Sequence, residues 1–276
     1  MRKPILSLLG LLIVLFTNAQ SGKYATINGA KIYYEVHGEG EPLLLLHGFT
    51  TSHRVWDHLV EDLSKHHQLI IPDMRGHGNS TNPAKVYTNR GSAEDMFALM
   101  DHLQIDRFHA MGQSNGAVVL TYMGLMDTSR VSSLILAGSA SFFPEETVAP
   151  LRELYYETMD TTWKSVLEAY HPRGEEQIKM LLTQLRSLAN DPEAINFTPP
   201  YLSKIVCPTL IVHGDQDHFF SVDIPIISFK AIPKSYLWIV PNDGHFPAGI
   251  GLEGGNPLWA DILPKVIHSF IAGEWK

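Results

Sequence analysis

The chain has 276 residues, 45% of them hydrophobic and 18% charged, with a formal net charge of −8. That length and composition suit a globular protein able to bury a sizeable core in one domain. An acidic balance without basic runs argues against nucleic acid and anionic membrane surfaces as partners. Cys207 is the single cysteine, which excludes an intrachain disulfide and a thiolate metal cluster. It sits in the apolar run "KIVCPTLIVHG" and reads as a small buried hydrophobe.

The chain begins "MRKPILSLLGLLIVLFTNAQ", with a basic head at Arg2 and Lys3 and an apolar stretch over residues 5–16. Thr17, Asn18 and Ala19 then offer small or polar residues for cleavage before Gln20. This pattern is that of a secretory signal peptide, over residues 1–19. The apolar stretch falls well short of the roughly 20 residues a spanning helix needs, which disfavours an uncleaved anchor. A secreted or periplasmic protein is expected, with no stable membrane insertion once the signal is removed. Export without disulfides suits a bacterial periplasm or exterior.

Next, "YATINGAKIYYEVHG" alternates polar and apolar residues around Asn28-Gly29, a β-hairpin signature. The runs "PLLLLHG", "HQLIIPD", "RFHAMG", "VSSLILAGS", "CPTLIVHGD" and "YLWIVP" are short, continuously apolar and closed by turn residues. They fit strands buried on both faces of a mostly parallel sheet. Helical patterns lie between them over residues 52–66, 93–103, 115–126, 224–231 and 257–270. The alternation predicts an α/β fold with helices flanking the sheet. Only residues 141–204 lack a strand-like run; their two helical patterns are punctuated by prolines. This segment is read as a helical cap over the carboxyl ends of the strands, where open parallel sheets bind ligands. The core is then residues 20–140 and 205–276.

The stretch "HAMGQSNGAVVL" places Ser114 between Gly112 and Gly116, where a strand-like run meets a helix-like one. A Gly-x-Ser-x-Gly pattern alone arises by chance in roughly one chain in ten of this length. Its setting adds weight, because a tight strand–turn–helix elbow exposes a serine hydroxyl. A serine nucleophile needs a base, and the base needs an orienting acid. "VPNDGHFPAG" supplies His245 after one strand, and "IVHGDQDHFF" supplies Asp215 and Asp217 after the strand before it. Asp217 is the better candidate, since Asp215 directly follows the strand-ending Gly214. An oxyanion needs two N–H donors. Asn115, after the nucleophile, offers one; Phe49, in "LLLLHGFT", offers the other. The 14 histidines show no HExxH or comparable ligand spacing, so no metal is expected.

Together, "PLLLLHGFTTSHRVWDHL", "IIPDMRGHGNS", "GQSNGA", "PTLIVHGDQDHFF" and "DGHF" resemble, in order and spacing, the α/β-hydrolase superfamily. The resemblance covers the chain from about Tyr24 onward and is nearest the cap-bearing esterase and C–C hydrolase branch. It implies Ser114 as nucleophile, His245 as base, Asp217 as acid, and Phe49 and Asn115 as oxyanion donors, with no cofactor. Asp73 and Arg75 are expected to pin their loop rather than react. Asn115 stands where methionine is more frequent in the family. That exchange leaves the backbone donor unchanged and puts a polar group beside the acyl site.

The expected activity is hydrolysis of a small-molecule carboxylic ester through an acyl-enzyme. Lactone hydrolysis, C–C bond cleavage and cofactor-free perhydrolysis use the same residues, and a ligand-binding receptor on the same fold is the alternative from another class. The cap carries Phe142, Phe143, Tyr155, Tyr156, Met159, Trp163 and Tyr170, which either line an apolar or aromatic acyl pocket or pack the cap helices together.

Overall fold

The computed structural model describes residues 22–249 and 257–275. The expected signal peptide lies outside the described residues. The hairpin forms as β1 (Lys23–Ile27) and β2 (Ala30–His37). Its two turn residues have positive φ, 44° at Asn28 and 77° at Gly29, the backbone that matches a two-residue hairpin turn to strand twist. The other strands are β3 (Glu41–Leu46), β4 (His67–Pro72), β5 (Phe108–Gln113), β6 (Val131–Ala137), β7 (Thr209–Gly214) and β8 (Ser235–Val240). They make one eight-stranded sheet in the order β1-β2-β4-β3-β5-β6-β7-β8. The β1–β2 and β2–β4 pairs are antiparallel and all the others parallel.

Both faces of this sheet are covered, which is why its central strands read as unbroken apolar runs. Leu44 and Leu46 of β3 face a layer with Ala110 and Leu136, under α2 (Asn89–His102) and α3 (Asn115–Met126). Leu43 and Leu45 face the opposite way, with Met111, Ile135 and Val212, under α1 (Asp57–Leu63) and α9 (Pro257–Ile271). Helix α2 starts four residues ahead of the expected boundary. Thr88 caps it, accepting the Gly91 N–H at 3.0 Å, and so draws Asn89 and Gly91, poor helix formers, into the first turn.

Between β6 and β7 the chain forms helices α4 (Glu145–Arg152), α5 (Thr161–Tyr170), α6 (Gly174–Ala189) and α7 (Pro199–Leu202), with one isolated bridge between Phe142 and Asn196. Helix α8 (Asp223–Ala231) connects β7 to β8. No helix among the described residues is long and apolar enough to cross a membrane.

Strand β3 lies between β4 and β5, so the chain first winds to one side of β3 and then crosses to the other. Such a reversal opens a crevice at the carboxyl ends of the two strands flanking it. The loops that leave β3 and β5 carry Gly48-Phe49 and Ser114.

Candidate active site

Ser114 joins β5 to α3 with φ 52° and ψ −117°. A non-glycine residue in that region costs on the order of 1–3 kcal/mol and persists only where its surroundings over-determine it. They do so here. The Ser114 N–H donates to Ala137 O at 2.8 Å, and its carbonyl accepts the Val118 N–H at 3.1 Å. The two flanking glycines allow the close packing. A Cβ on Gly112 would lie 2.5 Å from the Gly116 carbonyl carbon, and one on Gly116 would run into Leu46 O.

His245 lies on the loop after β8, with its Nε2 2.9 Å from Ser114 Oγ. Its Nδ1 is 2.8 Å from Asp217 Oδ2. A carboxylate only accepts, so Nδ1 carries the proton and Nε2 is left with a lone pair for the serine hydroxyl. The Asp217 side chain is fully buried, and its other oxygen accepts the Phe219 and Phe220 N–H groups at 2.8 and 3.0 Å. Burial pushes this carboxyl up, but the hydrogen bonds and charge facing it prevail and hold it below its ordinary value. Asp215, the other candidate acid, is exposed, and among the described residues it accepts only a long bond from the Asp243 N–H, at 3.4 Å.

Phe49 lies in a turn directly above the serine. A Cβ on the preceding Gly48 would be 3.4 Å from Ser114 Cβ. Neither the Phe49 N–H nor the Asn115 N–H has an acceptor among the described residues. Asn115 begins α3, so its N–H is one of the donors that a helix start leaves unpaired. The arrangement sets a hydroxyl beside a lone pair oriented by a buried acid, with two backbone N–H groups nearby that have no acceptor among the described residues. It can transfer an acyl group.

The alpha/beta hydrolase fold family matches this chain over residues 41–169. The fold is that of the α/β hydrolases. Among the chain's relatives is a 2-hydroxy-6-oxononadienedioate/2-hydroxy-6-oxononatrienedioate hydrolase of Pseudomonas putida. That protein is 27% identical over 280 aligned residues, covering 90% of this chain and 98% of its own length. A pimeloyl-[acyl-carrier protein] methyl ester esterase of Nitrosospira multiformis is also 27% identical, over 78% of this chain and 92% of its own. In fold, the chain is similar to a meta-cleavage product hydrolase from Pseudomonas fluorescens IP01. Their TM-score is 0.73 at 21% identity, over 92% of this chain and 98% of that one.

In this chain the Asn115 side chain does not stand free beside the candidate acyl site. Tyr87 donates to its Oδ1 at 2.5 Å, and its Nδ2 donates to Asn89 Oδ1 at 2.6 Å. Asn89 in turn donates to Ala194 O at 2.9 Å, on the segment before α7. The polar group that replaces methionine is therefore tied inward. Nothing in the local sequence pairs positions 87, 89 and 115, so sequence reasoning missed Tyr87 and Asn89.

Asp73 is fully buried and accepts from the His53 backbone N–H at 2.7 Å, from His53 Nδ1 at 2.8 Å and from the Asn79 N–H at 2.7 Å. Arg75 makes a two-pronged pair with buried Asp95, 2.7 Å at each contact. Both residues hold their loop. Of the aromatic residues in the 141–204 segment, Phe143 stacks on Phe220, which lies against His245. Tyr170 is buried with the core beneath α1, whereas Phe142, Tyr155 and Trp163 are exposed. Cys207 is buried, and burial raises its thiol to about 11, leaving it a protonated core residue. Among the described residues no group of three or more His, Cys, Asp or Glu is arranged to hold a metal ion.

Proposed function

We propose that this α/β hydrolase cleaves carboxylic esters of small apolar or aromatic substrates through an acyl-enzyme on Ser114. The observation that carries the reading is the unbroken line from buried Asp217 through His245 to Ser114, with contacts of 2.8 and 2.9 Å. His245 Nε2 takes the hydroxyl proton as Ser114 Oγ attacks the ester carbonyl. The Phe49 and Asn115 N–H groups receive the developing oxyanion. His245 then returns the proton to the departing alcohol and activates the water that releases the acid. Asp217 keeps the imidazole in the productive tautomer and stabilises its charged form.

An apolar acyl group is supported by the rings around the base. Phe219, Phe220 and Phe246 lie with centroids 4.7, 5.5 and 5.6 Å from that of His245. The 141–204 helices serve as the cap. They meet the acid loop through Thr147, whose hydroxyl donates to Phe219 O. Export by the signal at residues 1–19 belongs to the same proposal, and sequencing the N-terminus of protein recovered outside the cytoplasm tests it.

The experiment is turnover of a panel of short p-nitrophenyl esters by the chain starting at Gln20. Wild type is expected to release nitrophenol, and Ser114→Ala to lose at least about 10³-fold in kcat/KM. Equal activity in the two proteins overturns the reading. Ligand binding without turnover, and without fluorophosphonate labelling of Ser114, indicates a receptor instead. The Pseudomonas putida relative favours a second reading, hydrolytic C–C cleavage of a 2-hydroxy-6-oxo-dienoate. Turnover of such a dienoate well above that of any ester selects this second reading.

A further inference from the structure

Leu188 and Ala194 of the 141–204 segment pack against Phe49, and a polar side chain of the same segment bonds to the turn that carries it. His171, just past the end of α5, is buried at 1% exposure. Its Nδ1 accepts the Gly78 N–H at 3.0 Å. A nitrogen that accepts carries no proton, so the neutral ring is protonated at Nε2, which donates to Thr50 O at 2.9 Å. Burial pushes the ring down to about 4, against the opposing pull of its bond to Thr50 O, so it stays neutral around pH 7.

The turn needs an outside hold. Thr50 has φ 63°, a left-handed backbone that a β-branched residue rarely adopts. Its other bonds are made within the turn and by the neighbouring His47, whose Nδ1 donates to Gly48 O at 2.7 Å while its Nε2 accepts the Met74 N–H at 3.0 Å. Thr50 Oγ1 donates to Phe49 O at 2.6 Å, and Thr51 Oγ1 and N–H donate to Gly48 O at 2.9 and 3.4 Å. The Gly78 donor is itself fixed by the same distant segment. Gln177 Nε2 donates to Gly76 O and Gly78 O, both at 2.8 Å, and Arg173 donates to Ser80 O at 2.6 Å.

We propose that His171 is a positioning residue for acyl transfer: its Nε2–H holds the Gly48–Thr50 turn so that the Phe49 N–H faces the oxyanion. It does not touch substrate; it acts through Thr50. The inference rests on the reading of Ser114 as an acyl-transfer nucleophile.

The test compares wild type, Ser114→Ala, His171→Phe and His171→Gln. Phenylalanine keeps the ring and removes both bonds, whereas glutamine retains one donor and one acceptor on a planar group. On a p-nitrophenyl ester, His171→Phe is expected to lower kcat about 10- to 100-fold with KM within about threefold, because a displaced oxyanion donor acts on the transition state. Fluorophosphonate labelling of Ser114 slows in parallel, and His171→Gln recovers most of both rates. Wild-type kcat and labelling in His171→Phe overturn the proposal. So does an equal loss in both variants that tracks a fall in Tm, which marks a purely structural contact.

If the phenylalanine variant does not fold, His171→Asn takes its place. It has the same groups on a shorter arm, and kcat must fall in the order wild type, glutamine, asparagine; equal rates in the three overturn the proposal. A wild-type protein that neither turns over ester nor takes up the fluorophosphonate defeats the hydrolase reading first, and the role of His171 falls with it.

Discussion

The elbow at Ser114 and the turn at Thr50 stand on either side of the same site, and each holds a non-glycine residue at positive φ, 52° and 63°. They are held in different ways. The elbow is braced by its own strand and helix and by the adjacent strand end, with glycines at two positions where a Cβ would strike backbone. The turn is held by its neighbour His47, whose ring links Gly48 O to the Met74 N–H, and by His171, 121 positions along the chain. Strain held by adjacent elements writes itself into a short motif. Strain held from afar leaves a lone histidine among 14, with no motif around it.

That contrast can be broken or sharpened by experiment. The largest effect is expected at the acid. Asp217→Asn keeps the shape but offers His245 Nδ1 an amide in place of a carboxylate, and kcat is expected to fall on the order of 10³- to 10⁴-fold in the ester assay. An effect below tenfold would show that the tautomer is set by something other than Asp217.

The next largest effect is expected in the elbow itself. Gly116→Val drives a side chain into the Leu46 carbonyl, which belongs to the central strand and cannot yield. A loss of about 4 kcal/mol, read as a fall in urea midpoint or a failure to accumulate folded protein, is expected. A variant of unchanged stability would mean that the elbow is looser than its geometry implies.

The distant hold has a pH signature. Burial lowers both His47 and His171 to about 4, below their ordinary value of 6.5. Between these values the unfolded chain binds protons that the folded chain refuses. Stability is therefore full above about pH 6.5 and lost as pH falls towards 4, by on the order of 2–3 kcal/mol for each histidine. Asp217 and Asp73, both held below their ordinary values, add a loss of the same sign at lower pH. Urea midpoints from pH 8 to pH 4 check the direction. A midpoint that rises over that range would contradict neutral burial of the two histidines.

The smallest effect is expected at Asn115→Met, which restores the residue more frequent in the family and keeps the backbone donor. It leaves the Tyr87 hydroxyl and Asn89 without their partner, at about 1–2 kcal/mol of stability. Because the Asn115 amide is already bonded on both sides, ester preference should change less than threefold across the panel. A large change in preference would return Asn115 to the substrate pocket.

Much of the fold was legible in the chain. The strand runs are continuously apolar because both faces of the sheet are covered, and each appears where its run predicts it. The sheet is mostly parallel with flanking helices, and the helix over residues 115–126 has the boundaries its pattern implies. The early start of α2 was not legible, because a capping threonine outweighs the low helix propensity of the next residues. At the site, the order of Ser114, the acid and His245 could be read directly. The preference for Asp217 over Asp215 came from one spacing argument, and in the structure it is Asp217 that reaches the imidazole. The expectation for the Asn115 side chain missed Tyr87 and Asn89, since they approach it across two elements.

By itself, the sequence determined the order of strands and helices, the motifs at the strand ends and the chemical identity of the groups placed there. Those follow from local rules: turn residues, hydrophobic period and the spacing of glycines along a few residues of backbone. Only the tertiary structure decided which groups meet. The Asp217–His245–Ser114 line, the inward tie of Asn115 and the hold of His171 on Thr50 join positions 28, 131, 26 and 121 residues apart. Contacts of that range are fixed by how the sheet reverses at β3 and how the 141–204 helices settle on its loops. Local pattern carries no information about either.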